Sequence, residues 1–382
     1  MNIAVFTDTF LPMTDGVVSM ILNSSRELIR RGHRVKIFAP KIEGVEKYIK
    51  NLRNLEIVFY KSMDTPNEEV KLSAVWLPKT IRELKAFKTD VVHFHSPSMI
   101  GIEGIIAAKI LHIPIVATFH TFLADFEYMK SIGIPKILIK LSSNIIWKLL
   151  IFIYEKADAI ISPCKYTKKV LLEKKIKKPI IVIPNGIKFN NKQLEFNKKS
   201  SNCLYVGRLG PEKNLETLVK TFKFVANKIP SAKLIVVGDG PKKKTMQNLA
   251  KQLKISKKII FKGKIENEKL MKKGEIFKKC ALFINTALAE NQPVSVIEAM
   301  SFGLPIVAIK TKGMPELVNG NGFLCENANP KEIAENAIKI LRNQNLRYNF
   351  SKASLQKAKK YNISYSVKKL ENLYEGLKKI TR

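Results

Sequence analysis

Short apolar runs recur along the 382-residue chain, each followed by a longer amphipathic stretch. They fall at 3–6, 34–39, 91–94, 115–118, 159–162 and 180–184, and the series begins again at 203–206, 233–237, 259–261, 281–285, 305–308 and 322–324. Runs this short and this rich in Val and Ile fit strands buried on both faces of a parallel sheet, whose crossovers supply helices on either side. The chain therefore reads as α/β, with two successive doubly wound, Rossmann-like domains. Its length agrees, because chains beyond about 250 to 300 residues seldom keep a single core.

The N-terminal domain spans 1–184 on this reading. Pro184-Asn185-Gly186 is a turn signal, and over 185–201 Lys and Asn replace the apolar pattern, as expected of a hinge or linker. The C-terminal domain spans 202–360, and 361–382 is a final helix that can return to the N-terminal domain.

Hydrophobic residues make up 46% and charged residues 26% of the chain, a globular balance that excludes disorder, collagen and coiled coil. The charge is unusual, with 67 Lys+Arg against 32 Asp+Glu and a net of +35. Such a field favours nucleic acid, an anionic membrane face or phosphorylated small molecules, unless it reflects only a Lys-rich composition. Arg is the residue suited to bidentate base and phosphate contacts, and it is scarce here, which argues against sequence-specific DNA reading. The four cysteines, Cys164, Cys203, Cys280 and Cys325, have neither metal-ligand nor disulfide-framework spacing, so a reducing cytoplasm is the simplest location. The start, MNIAVFTDTF, reads as a buried strand rather than a signal peptide, and no apolar stretch reaches the eighteen or so residues that span a bilayer.

In open α/β sheets ligands bind at the carboxyl ends of the strands, so the loops there are the candidates. The first carries Asp15-Gly16-Val17 before a patterned helix over 17–31, where Gly16 lets an anion approach backbone N–H groups. The second, Gly207-Arg208-Leu209-Gly210-Pro211-Glu212-Lys213, offers a guanidinium fork and an ammonium beside a helix start, a means of holding a diphosphate. The third runs from Glu290 through Asn291, Gln292, Pro293 and Val294 to Glu298, with two carboxylates eight positions apart. Glu298 lies in an apolar helical segment, where a carboxylate needs hydrogen bonds, and vicinal ribose hydroxyls supply them; a salt bridge or an exposed helix face is the other reading. His95 and His120 each follow an apolar run, while His93 and His112 read as structural.

Taken together these segments resemble a known family. Gly207-Arg208 with Lys213, then Val237-Gly238-Asp239-Gly240-Pro241, then Glu290 and Glu298 with Ala299-Met300 and Gly303-Leu304-Pro305, resemble the retaining glycosyltransferases of family 4. Thr7-Asp8-Thr9-Phe10-Leu11-Pro12, Val92-His93-Phe94-His95-Ser96-Pro97, Phe119-His120-Thr121 and Ile183-Pro184-Asn185-Gly186 match in the same order, so the resemblance covers nearly the whole chain. It implies a GT-B fold, with two Rossmann-like domains facing a cleft and a sugar nucleotide held mainly by the second. It further implies that Arg208 and Lys213 bind the diphosphate, that Glu298 binds the ribose, and that Glu290 binds the donor sugar as a catalytic group. Backbone N–H groups of Asn291, Gln292, Pro293 and Val294 would line the sugar and phosphate, apart from Pro293, which has none. Gly16 would close over the phosphates, and Lys264 and Ile265 would touch the base. His120 would stand near the reacting centre, with His95 on the acceptor side. Asn-Gln-Pro follows Glu290 where many relatives carry a glycine-rich or Phe-Gly sequence, a departure that bears on which sugar is donated.

The same resemblance implies net retention by front-face attack. No Asp-x-Asp pair occurs, and Arg208 and Lys213 can neutralise the leaving diphosphate, so no cofactor and no metal are expected. The segment 129–157 interleaves Lys130, Lys136, Lys140 and Lys148 with Ile, Leu, Phe and Trp147, which suits an anionic membrane interface or, alternatively, packed helices with snorkelling lysines. The expectation is a hexosyltransferase that uses a nucleotide diphosphate sugar, with UDP favoured, and a lipid-linked acceptor, peripheral on the inner face of the cell membrane. A soluble saccharide acceptor and a sugar-nucleotide epimerase on the same scaffold are the alternatives. A nucleic-acid partner is not expected, since the chain has neither an Arg-rich helix nor an RNA-binding aromatic strand.

Overall fold

The computed structural model describes every residue except 14–15, 50–51, 53, 65–70, 132–134, 190–199 and 382. Asp15 of the first loop and most of the expected hinge lie outside the described residues. The chain divides into two compact units: Met1–Thr121 with Asn144–Lys188 and Ile363–Arg382, and Phe122–Ser143 with Phe189–Asn362.

The first half of the chain runs β1 (Asn2–Phe6), α1 (Gly16–Arg30), β2 (Arg34–Lys41), α2 (Glu46–Ile49), β3 (Glu56–Asp64), β4 (Lys71–Ser73), α3 (Leu77–Ala86), β5 (Val91–Phe94), α4 (Met99–Ile110), β6 (Ile115–Thr118), α5 (Phe126–Ser131), α6 (Lys136–Tyr154), β7 (Ala159–Ser162), α7 (Lys165–Glu173) and β8 (Ile180–Val182). These strands form one sheet in the order β4-β3-β2-β1-β5-β6-β7-β8, parallel except for β4. The sequence reading has six strands here and misses β3 and β4. β4 is the edge of the sheet and β3 its inner neighbour, and in β3 Lys61, Ser62 and Asp64 interrupt the apolar run that marks a strand covered on both faces.

The second half runs β9 (Cys203–Val206), α8 (Leu215–Lys228), β10 (Leu234–Val237), α9 (Lys243–Gln252), β11 (Ile259–Phe261), α10 (Asn267–Lys273), α11 (Glu275–Lys278), β12 (Leu282–Asn285), α12 (Val294–Ser301), β13 (Ile306–Ile309), α13 (Met314–Leu317), β14 (Gly322–Cys325), α14 (Pro330–Arg342) and α15 (Gln344–Ala358), before α16 (Ile363–Thr381). Its sheet is fully parallel, ordered β11-β10-β9-β12-β13-β14. Each unit has its own core, with Leu204 and Phe283 side by side across β9 and β12 in one and Val35, Ile3 and Val91 side by side across β2, β1 and β5 in the other.

The final helix returns to the first unit, and one segment departs from a cut at residue 184. Helix α16 belongs to the first unit, packing on α1 through Val367, Leu370 and Tyr374 and through Arg31, whose guanidinium reaches Glu371 at 2.9 Å. The segment Phe122–Ser143 belongs to the second unit, because α5 packs on the short 3-10 turn at Pro211–Lys213 and Asp125 pairs with Lys312. An apolar pattern marks burial but not which core receives it, so the sequence could not separate this segment from its neighbours.

The motif Thr7-Asp8 has a structural role. Asp8 accepts the N–H groups of Ile100 and Gly101 at 2.9 and 3.3 Å, tying the end of β1 to the start of α4, and burial pushes its carboxyl up to about 6.

Candidate donor-binding and histidine sites

The strand order of the second unit reverses direction between β9 and β12, and ligands of open α/β sheets bind outside the carboxyl ends of the strands at such a switch point. Arg208 and Lys213 follow β9, and Glu290 follows β12, so the topology gathers into one place residues 77 positions apart.

The loop after β9 is held by its neighbours. Leu209 N–H donates to Asp239 O at 2.9 Å, Lys242 N–H to Leu209 O at 2.9 Å, and Gly238 N–H to Gly263 O at 2.8 Å. Gly238 sits at φ +139°, and a Cβ there would come within 1.9 Å of Gly207 O, so only glycine lets these two loops meet. On the other side Thr286 Oγ1 donates to the carbonyls of Lys213 and Asn214, both at 3.1 Å.

Within this frame Lys213 Nζ donates to Glu290 Oε1 at 2.5 Å, and Asn285 Nδ2 donates to Glu290 Oε2 at 2.9 Å. Glu212 joins the two cations, 3.1 Å from Arg208 and 3.6 Å from Lys213. Burial opposes the charge on Lys213, but Glu290 and Glu212 outweigh it and hold its pKa above the ordinary lysine value. The resemblance assigns Lys213 and Glu290 to different parts of a donor; the structure joins them directly. An ammonium has three N–H donors, so Lys213 can keep Glu290 while donating to a further anion.

Asn291, Gln292, Pro293 and Val294 are all buried and lead into α12, where the N–H groups of Val296 and Ile297 donate to Pro293 O at 3.1 and 3.4 Å. Glu298 lies on that helix at 4% exposure. It is neither in a salt bridge nor exposed: its Oε1 accepts from Asn267 Nδ2 at 2.5 Å. Burial raises its pKa to about 7, with the Asn267 bond working against the rise. Lys264 is exposed and Ile265 half-buried, in the loop after β11.

Asn267, Asn285, Thr286, Glu212 and Lys312 are site residues that the sequence reading missed. The side chain of Lys312 is 8% exposed, its Nζ 3.1 Å from Asp125 Oδ2 and 5.1 Å from the centre of the Phe122 ring. Its αL backbone, φ +42°, was the one signal available, as Lys312-Gly313 reads like a turn. Asp125 also caps α5, accepting the N–H groups of Glu127 and Tyr128 at 3.0 and 3.2 Å, and Tyr128 lies close enough to Glu212 and Lys213 to feel both charges.

Gly16, His95 and His120 belong to the first unit. Gly16 opens α1 and is exposed. His95 Nδ1 and His120 Nε2 lie 2.9 Å apart, so the two candidate histidines are brought together. Among the described residues no group of three or more His, Cys, Asp or Glu is arranged to hold a metal ion.

Two Rossmann-like sheets, the second with an ion-paired Lys and Glu at its switch point, make up a GT-B fold. Residues 186–357 match the model of the glycosyl transferases group 1, and residues 14–190 match that of glycosyltransferase family 4. The chain belongs to this family and is a glycosyltransferase. It is 26% identical over 399 residues to an alpha-monoglucosyldiacylglycerol synthase of Acholeplasma laidlawii, covering 99% of this chain and 97% of that protein. The synthase of the same name from Streptococcus pneumoniae is 27% identical over 340 residues, 85% of this chain and 74% of that protein. Among solved structures, Anabaena HepE in complex with UDP superposes with a TM-score of 0.77 at 16% identity, covering 98% of this chain and 100% of that one. Staphylococcus aureus TarM reaches 0.76 at 14% identity, with 98% of each chain covered.

Proposed function

We propose that the protein is a retaining, metal-independent hexosyltransferase that moves a sugar from a UDP-sugar to a lipid presented at a membrane surface. The observation that carries the donor half is the Lys213–Glu290 pair at the β9/β12 switch point, with Glu298 buried nearby on α12. On this reading Arg208 and Lys213 receive the diphosphate, Glu298 the ribose hydroxyls, Glu290 the sugar hydroxyls, and the Asn291 and Val294 N–H groups the sugar and phosphate. Lys264 and Ile265 line the base, and Gly16 approaches the phosphates. The bond from the anomeric carbon to the phosphate oxygen breaks while the acceptor hydroxyl oxygen bonds to that carbon on the same face. The hydroxyl proton leaves with the departing diphosphate, and His120 stands by the reacting carbon. Arg208 and Lys213 stabilise the charge that develops on the leaving group, which is the task a divalent ion would otherwise perform. The UDP complex of HepE supports the choice of nucleotide.

The acceptor half rests on α6. Ile139, Trp147, Leu150 and Tyr154 face inward, Trp147 stacking on Phe119, so the tryptophan is a packing residue and not an interfacial one. Leu138, Leu141, Ile145, Leu149 and Phe152 recur at helical spacing on the outside, each at least half exposed, with Lys140 and Lys148 exposed among them. Packed helices alone account for the inner row; the outer row suits a lipid surface. Met99, Ile102, Ile106 and Ile110 form a second exposed row on α4. The connections from β5 to β8 all advance the same way across the sheet, and right-handed crossovers put α4, α6 and α7 on one face. The names of the two diacylglycerol-glucosylating relatives agree. No helix among the described residues is long and apolar enough to cross a membrane, and the association we propose is peripheral.

The experiment is a donor screen with purified protein, following release of nucleotide diphosphate with and without lipid extract. Lipid-dependent UDP release supports the reading. Release that needs a soluble saccharide instead overturns the lipid acceptor, and epimerised sugar formed without acceptor overturns the transferase mechanism.

A further inference from the structure

His95 follows β5 and His120 follows β6, neighbouring parallel strands, which sets the rings side by side with centroids 5.2 Å apart and planes 22° apart. His93 lies two residues back on the same face of β5, its ring centre 4.0 Å from that of His95. Its Nδ1 meets the Tyr374 hydroxyl of α16 and its Nε2 the Thr118 hydroxyl, both at 2.7 Å. The returning C-terminal helix therefore buttresses the back of this stack. Burial holds all three imidazoles far below the ordinary histidine value, so each is neutral at physiological pH.

A neutral imidazole has one N–H and one lone-pair nitrogen. The 2.9 Å contact between His95 Nδ1 and His120 Nε2 requires one of these nitrogens to donate and the other to accept. The contact couples the two rings: when His95 Nδ1 donates, His120 carries its proton on Nδ1, and when His95 Nδ1 accepts, His120 carries it on Nε2. We propose that His95 is a positioning residue of the transfer reaction: it fixes the tautomer and ring plane of His120, with His93 and Tyr374 holding His95 in place. The inference rests on the reading that His120 acts at the reacting centre. It gives the second histidine of the His93-Phe94-His95 segment a role through His120 rather than on the acceptor.

The test combines ring 15N NMR of the full-length protein with steady-state kinetics of His95→Ala and His95→Gln. In the unsubstituted protein His120 should show one tautomer with no exchange average. His95→Ala should convert it to a mixture and lower kcat about ten- to a hundredfold, the range seen for partners that orient a functional histidine, with donor KM within about twofold. His95→Gln keeps an amide that can donate or accept, and should recover most of the lost kcat. A tautomer mixture at His120 in the unsubstituted protein overturns the proposal even if His95→Ala does not fold. A kcat for His95→Ala within threefold of the parent overturns it as well. His120→Ala with unchanged kcat would instead refute the role of His120, while the tautomer measurement still reports on His95.

Discussion

Replacing Glu298 with Gln probes the proposed donor site at the point where structure and chemistry are most tightly linked. The carboxyl is 4% exposed and bonded to Asn267 Nδ2, and its pKa stands near 7 because burial disfavours the charged form. If it holds the ribose as a carboxylate, donor binding draws on the ionised form alone. The folded protein then has to release a proton on binding below pH 7, and affinity rises with pH. Between pH 6 and pH 8 the ionised fraction of a group with pKa near 7 rises from about one tenth to about nine tenths, so the Kd for UDP should fall roughly tenfold. Glu298→Gln removes the charge from these hydrogen bonds, a loss of about 1.5 to 3 kcal/mol, which is roughly ten- to 150-fold in Kd at pH 8. The variant should also lose the pH dependence. Isothermal titration calorimetry of UDP binding at pH 6, 7 and 8 reads all three quantities. A Kd unchanged by the substitution, or a parent protein whose Kd ignores pH, would refute the ribose assignment.

Other outcomes follow from the same geometry. Lys213→Ala leaves Glu290 without its 2.5 Å partner and removes a cation from the leaving group, so kcat should drop about a hundredfold or more in a coupled UDP-release assay. Treatment with EDTA should leave turnover intact, and activity lost to EDTA but restored by Mg or Mn would count against diphosphate stabilisation by Arg208 and Lys213. Joint replacement of Lys140 and Lys148 by Gln should weaken sedimentation with anionic vesicles at low salt about thirtyfold, at about 1 kcal/mol per lysine, without altering UDP affinity; binding of the parent that salt does not weaken would contradict it. Gly238→Ala forces a Cβ against Gly207 O at φ +139° and should lower Tm by several degrees, since such strain costs about 1 to 3 kcal/mol.

The parts of this molecule that can be read from its sequence are those written in local pattern. β1, β2 and the strands from β5 to β14 appear as short, mainly apolar runs, as expected of sheets covered by helices, and the candidate loops are found by looking at where those runs end. β3 and β4 escape because Lys61, Ser62, Asp64 and Lys71 break their apolar pattern, and α5 escapes assignment to the second unit because an apolar residue does not name its partner. In the donor site Arg208, Lys213, Glu290 and Glu298 stand out as charges beside strand ends. Asn285, Asn267 and Thr286 do not, since a short polar residue at the end of an element is ordinary boundary composition, and their roles exist only once the order β11-β10-β9-β12 is in place. The Lys213–Glu290 pair is likewise a product of strand order, not of spacing.

The most direct measurement of the central claim is the fate of a labelled sugar. Purified protein is incubated with UDP-glucose carrying radiolabel in the glucose, in the presence of diacylglycerol-containing anionic vesicles, and the product is extracted into organic solvent and its anomeric configuration read by 1H NMR. Label is expected in the lipid phase, dependent on the vesicles, with the α configuration of the donor retained. Label that stays in the aqueous phase on a soluble acceptor, or a β-linked lipid, would contradict it.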